Sequence, residues 1–324
     1  MGEGPQESGA ELGARLRAGD LGAAPATLNL LESGGTDERE QAEALLRAVS
    51  PATLGGEARA HVIGVTGPPG AGKSTLLAAL VAEWRRRERS VAVLAVDPSS
   101  KRSGGALLGD RARIAHDATD RAVFIRSTAA GERIGGLARA TRAGAQALAA
   151  AFDVVVVETV GVGQSETDVA EVADTVAVVV QPGAGDVLQF LKAGIMEIPD
   201  LLVVTKADMG APAQAALRDV RAALGSLGSP GVQALAVCAV APEQGIAELA
   251  DAFDRHRGEI NLEERRLAAR RSGALADFIA EHGERGLRAL GGRRAAQRWL
   301  ADQDPGMDVP ALRAALEAWA SESA

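Results

Sequence analysis

The sequence predicts an α/β fold, a doubly wound and mostly parallel sheet with helices at both ends of the chain. Two observations carry this. Seven short β-branched runs alternate with helical stretches between about residues 61 and 256. Several of those runs are near-continuous Val/Ile/Leu rather than alternating, as in strands buried on both faces. Strands separated by helices imply right-handed βαβ units.

In order, residues 1–8 read as a loose tail, and 9–50 carry helical patterns such as ELGARLRAGD and EREQAEALLRAV. Asp37 is expected to cap the second of these, with Glu40 at capping-box spacing. Pro51, Gly55 and Gly56 punctuate the chain before the first strand. The strand runs are HVIGVTG, SVAVLAVDP, RAVFIRS, DVVVVETVG, TVAVVVQPG, DLLVVTKAD and VQALAVCAV. Beyond about 258 the runs stop and charge rises, with Phe278, Trp299 and Leu300 as apolar anchors and a last helix starting near Pro310. The expected division is a helical segment at 1–56, a nucleotide-binding domain at 57–257 and a helical tail at 258–324.

Composition excludes several classes. The chain has 324 residues, 47% of them hydrophobic, enough for a sizeable core. Its formal net charge of -8 argues against a broad phosphate-neutralising face, so no nucleic-acid partner is expected. One Cys and four scattered His give no zinc-like spacing. No apolar run approaches ~18 residues, so no membrane span is expected. The acidic, polar start resembles neither a signal nor a transit peptide, and a cytoplasmic location is expected. Of 35 basic residues only four are lysines, Lys73, Lys101, Lys192 and Lys206. A compact ammonium is not interchangeable with a guanidinium, so these positions merit a reason.

The first reason is a phosphate loop. Gly67-Pro68-Pro69-Gly70-Ala71-Gly72-Lys73-Ser74-Thr75 fits G-x-x-x-x-G-K-[ST], between a strand run and a helical run. Its glycines let backbone N–H groups approach phosphate oxygens, and the following helix adds a positive dipole end. Lys73 would reach the β- and γ-phosphates, and the Ser74 hydroxyl would serve Mg²⁺. Mg²⁺ takes hard oxygen ligands, and Asp97, Asp110 and Glu158 lie at strand ends or in an adjoining loop. Glu158-Thr159-Val160-Gly161 reads as a D-x-x-G switch box with Glu for Asp. Gly161 would let a backbone N–H meet the γ-phosphate, and Gln164 is a candidate for orienting the attacking water.

The second reason is a base-reading loop. Thr205-Lys206-Ala207-Asp208 follows LLVV and matches N/T-K-x-D. A carboxylate there accepts from the ring N–H and exocyclic amine of guanine, a pair adenine lacks. Val237-Cys238-Ala239-Val240 stands where such proteins often carry Ser-Ala, so Cys238 and Ala239 join the nucleotide set.

These strings, with LNLLESG, VDPSS, SGGALLGDRAR, ETVGVGQSE, QPGAGD and KAGIMEIPDLLVVTKAD, resemble the MeaB/ArgK-type GTPases, the family of the methylmalonic aciduria type A protein. The resemblance covers about residues 8–320. It implies a P-loop NTPase fold of the Glu-switch class, GTP and GDP binding with Mg²⁺, and a catalytic set of Lys73, Asp97, Asp110 and Glu158. It also implies a homodimer formed through the tail. Its partner would be an adenosylcobalamin-dependent acyl-CoA mutase, usually methylmalonyl-CoA mutase, whose cofactor loading the GTP state gates. The segment around Gly183–Gly194 matches a further, partner-facing switch. There the family's GDELQGIKKGI is replaced by GDVLQFLKAGI, with Val187 removing a carboxylate and Phe190 replacing a glycine. Thr205 replaces the commoner Asn. No D-x-H-x-x-G cobalamin pattern is present. The competing readings are a metallochaperone GTPase, which would need a His/Cys site, and an ATP-dependent kinase, which Asp208 disfavours.

Overall fold

The computed structural model describes residues 7–33, 35–97, 114–129, 139–159, 169–183, 199–226, 228 and 231–322. They form two compact units, one of residues 60–145 and 152–260, the other of 1–59, 146–151 and 261–324.

The first unit is built on a seven-stranded sheet: β1 (His61–Thr66), β2 (Val91–Asp97), β3 (Val123–Ala129), β4 (Val154–Thr159), β5 (Thr175–Val180), β6 (Leu201–Val204) and β7 (Gln233–Ala236). Each coincides with one of the seven runs. The spatial order is β3-β2-β4-β1-β5-β6-β7, and every pair is parallel. β1, β4, β5 and β6 are buried at every position, which is why their sequences do not alternate.

Helices cover the sheet. Under the helix Lys73–Arg86 and the helix Ile246–Glu259, Ile63, Leu77, Leu80, Trp84, Val93, Val156, Val179 and Phe253 form one core. Under the helix Ala211–Ser226, Val178, Val180, Leu202, Val204, Val220 and Leu224 form another. The amino ends of the strands are pinned by side chains. Val62 N–H donates to Asp174 Oδ2 and Val176 N–H to Asp200 Oδ2, each at 2.8 Å. His61 Nε2 and His256 Nδ1 lie 2.7 and 2.8 Å from the hydroxyl of Thr175. Two of the four histidines are therefore structural, at the amino ends of the strands, opposite the ends described below.

The second unit is helical. We label its helices α1 (Gly9–Arg17), α2 (Ala24–Glu32), α3 (Thr36–Ala48), α4 (Pro51–Leu54), α5 (Leu262–Ala289), α6 (Arg293–Ala301) and α7 (Val309–Glu322). α1 opens on a capping box between Ser8 and Glu11. The expected cap at Asp37 is not formed: α3 begins two residues earlier than that cap would place it, with Gly35 at the cap and Asp37 in the first turn. Asp308 begins α7, accepting from Ala311 N–H at 2.7 Å. α5 leaves helical geometry at Gly283. Leu275, Phe278, Leu287, Leu300, Leu312 and Leu316 form the core of α5, α6 and α7, with Trp299 stacked on Trp319 at 5.0 Å. The two ends of the chain meet here. Arg270 Nη1 donates to Glu57 Oε1 at 2.8 Å, and Arg313 Nη2 to Glu43 Oε1 at 2.7 Å.

Candidate nucleotide site

In an open parallel sheet, ligands meet the carboxyl ends of the strands. The residues that leave those ends converge here. The loop 67–72 connects β1 to the helix that starts at Lys73. Gly67 has φ 145°, and a Cβ there would lie 2.1 Å from the carbonyl oxygen of Val179 in β5. No side chain fits, so the loop turns tightly against the sheet. Gly72 caps the helix with φ 87°, a left-handed conformation that suits glycine. Ala71 is buried, whereas Pro69, Gly70 and Thr75 are exposed on the open side. The bare curve of Gly67, Pro68, Pro69 and Gly70 is a cradle suited to oxygen atoms.

Lys73 is buried, and its Nζ donates to the carbonyls of Gly67 at 2.6 Å and Pro68 at 3.2 Å. The ammonium is thus folded back over its own loop. Next to it, the Ser74 hydroxyl donates to Glu158 Oε1 at 3.3 Å. Glu158 lies 84 positions further along the chain and stands in register with Val65 of β1. One hydroxyl and one buried carboxylate thus lie side by side beyond the phosphate loop, two hard oxygens of the kind that could hold Mg²⁺. Asp97 ends β2, two residues past Ala95, which pairs with Glu158. Asp110, Gly161, Gln164, Val187 and Phe190 lie outside the described residues, as does the side chain of Asp97.

The base-reading loop is attached to the phosphate loop. Thr205 is buried, and its hydroxyl donates to the carbonyl of Ala71 at 2.7 Å. Its N–H donates to Val180 O at 2.9 Å. Lys206 adopts φ 55°, unusual for a residue with a side chain, and its Nζ reaches Gln181 Oε1 at 2.6 Å and Gly70 O at 3.4 Å. Its stem therefore spans from the base loop to the phosphate loop. Asp208 is exposed. The thiol of buried Cys238 lies 3.4 Å from Asp208 Oδ1 and 3.2 Å from Val240 O, and Ala207 N–H donates to Val237 O at 3.0 Å. The segment 237–239 thereby backs the base loop, with Ala239 half-buried beside it.

Gln181 opens the QPGAGD string, but the sequence assigns it no role; the structure sets it against Lys206, 25 positions away. Among the described residues, no group of three or more His, Cys, Asp or Glu is placed to hold a metal ion. No helix among them is long and apolar enough to cross a membrane.

The geometry suits a purine nucleotide with its phosphates in the loop. Comparison with known proteins agrees. Residues 24–284 match the family described as methylmalonyl Co-A mutase-associated GTPase MeaB. A probable GTPase of Mycobacterium tuberculosis is 43% identical over 255 residues, covering 76% of this chain and 74% of that one. A putative GTPase of Pyrococcus horikoshii is 48% identical over 199 residues, covering 61% of this chain and 60% of that one. The mitochondrial methylmalonic aciduria type A homolog of Caenorhabditis elegans is 38% identical over 201 residues, covering 60% and 50%. The matched region thus spans about 60% of the length of the Pyrococcus relative. A crystal structure titled LAO/AO transport system kinase superposes with a TM-score of 0.61 and 28% identity, covering 91% of this chain and 96% of that one.

Proposed function

The chain belongs to the MeaB family of methylmalonyl-CoA mutase-associated GTPases, and on that premise we propose that it hydrolyses GTP to gate the action of an acyl-CoA mutase partner. The client reading is an adenosylcobalamin-dependent mutase, methylmalonyl-CoA mutase first, with the GTP state controlling cofactor loading and protection.

The observation that carries the nucleotide part is the tie between the two loops. Thr205 on Ala71 and Lys206 on Gly70 fix the base-reading carboxylate relative to the phosphate cradle. Asp208 would accept the two guanine donors, and this favours GTP over the ATP of a kinase reading. The backbone of 67–72 would hold the phosphates. Lys73 would exchange its loop carbonyls for the β- and γ-phosphate oxygens. Ser74, with Asp97, Asp110 and Glu158, would hold Mg²⁺, which neutralises charge developing between the β- and γ-phosphates. Water attacks the γ-phosphorus, the bond to the bridging oxygen breaks, and GDP leaves with that electron pair. Gly161 and Gln164 are proposed for the γ-phosphate and the water. Release of phosphate would then free the switch segments, including 183–194. Val187 and Phe190 in that segment suit a client surface that differs from the family's usual one.

The test is GTP turnover by the purified protein, alone and with acyl-CoA mutases, with ATP as control. Slow turnover specific to GTP and accelerated by one mutase supports the reading. Turnover that no mutase changes removes the client assignment, and equal use of ATP removes the guanine assignment.

A further inference from the structure

Most arginines described above have partners. Arg15 pairs with Glu7 and Asp20, Arg270 with Glu57, and Arg313 with Glu43 and Glu281. The stretch 284–298 differs. It holds five arginines against one glutamate, in a chain whose net charge is -8. Arg285, Arg288, Arg293, Arg294 and Arg298 are all exposed. Arg288 donates to the carbonyl of Glu284. Among the described residues, Arg285, Arg293, Arg294 and Arg298 enter no ion pair and no side-chain hydrogen bond.

Arg293 and Arg294 oppose the helix that carries them, whereas Arg288 and Arg298 sit in the last turns of α5 and α6, where a cation is favourable. α6 begins at Arg293 and Arg294, with Gly292 at the cap, no side-chain cap and no acidic residue in its first turn. Cations at a helix start work against its dipole. Arg294 and Arg298 are four apart, where like charges repel. The helix is held instead by its other face, where Ala296 and Leu300 are buried. Folding alone gives no reason to start α6 on two arginines or to gather five against one glutamate here. A local rule broken without a compensating contact inside the chain points to a contact outside it.

Arg294, Gln297, Arg298 and Ala301 lie together on one open face of α6. Guanidinium groups match carboxylates two bonds at a time. We propose that this face of α6 is a docking surface for a carboxylate-rich segment of a partner protein. Protein carboxylates fit better than a nucleic-acid backbone. A duplex needs a broad basic track, whereas this patch spans about two turns of one helix on an acidic protein. The surface deepens the reading above, since a client mutase is the partner it would serve.

The experiment titrates the full chain with a labelled glutamate 20-mer at low and physiological salt. It uses the wild type, Arg294→Glu/Arg298→Glu, and Arg294→Gln/Arg298→Gln. Poly(dT) and phosphatidylserine vesicles are the competing probes. The expected result is binding by the wild type that weakens with salt. The charge-reversed chain should bind at least about 10-fold more weakly, with the glutamine variant between them. Basal GTP turnover and melting temperature should be the same in all three, since a carboxylate gains at the start of α6 what another loses at its end. Equal affinity in all three chains overturns the proposal. So does tighter capture of poly(dT) or of vesicles than of the glutamate peptide. A wild type that binds the peptide through these arginines, yet responds to no mutase, sinks the client reading and leaves this surface standing.

Discussion

The hydroxyl of Thr205 donates to the carbonyl of Ala71, 2.7 Å away and 134 positions earlier in the chain. It is the shortest link between the loop that would read the base and the loop that would hold the phosphates. Thr205→Val keeps the shape and removes the donor. The buried Ala71 carbonyl then loses this partner, at a cost of about 1–3 kcal/mol. Urea unfolding should record that loss. Calorimetry should show weaker binding of GDP and GTP alike, because the tie serves the nucleotide as a whole. Thr205→Asn, which carries a donor, should recover much of both.

Asp208→Asn addresses the base alone. An amide cannot accept from both guanine donors, and one charge-assisted pair is lost. GTP affinity should fall about 10- to 100-fold on the scale of charged hydrogen bonds. Xanthosine triphosphate, with a carbonyl where guanine has its amine, should gain relative to GTP. Unchanged GTP affinity would move base reading elsewhere.

Ser74 and Glu158 meet at 3.3 Å and should act together. Ser74→Ala and Glu158→Gln should each lower GTP turnover by at least about 100-fold, and the double variant should fall little further than the worse single one. Additive losses would mean that the two groups serve separate steps. Magnesium titrations of GTP turnover should shift to higher concentration in Ser74→Ala.

Asp308 supplies a prediction about pH. Burial raises its carboxyl above the usual range, more than the hydrogen bond from Ala311 and the nearby Arg47 lower it, and Glu43 adds to the rise. The folded chain therefore holds this proton more tightly than the unfolded one. The resulting stabilisation is full below the ordinary carboxylate range and disappears as pH rises through the raised value. Asp308→Asn keeps an acceptor for Ala311 and removes the ionisation. Its urea midpoint should gain on the wild type as pH rises from about 4 to about 8. A constant difference across that range would contradict this.

The fold was legible because its strands are buried on both faces. Val154–Val157 and Val176–Val180 could satisfy no other pattern, and each run became a strand. The phosphate loop was legible because its chemistry is local: nine consecutive residues carry it. Long-range ties left little trace. Nothing near Thr205 says that Ala71 is its acceptor, and Gln181 has no neighbour in sequence to announce Lys206. The misplaced cap at Asp37 has a similar cause. An acidic residue serves the first turn of a helix as well as its cap, and only the backbone at Gly35 separates the two. The unpaired arginines of α6 passed as ordinary polar tail, because an ion pair that is missing cannot be read from composition.

The helical unit gathers both ends of the chain, and this bears on how the protein can be cut. Shortening it at about residue 260 would seem to free the sheet from a tail. It would instead strip Glu43 and Glu57 of their arginines and leave α1, α2, α3 and α4 with half a body to fold against. Trimming the front would orphan α5 and α7 in the same way. A minimal nucleotide-binding fragment has to lose both termini together.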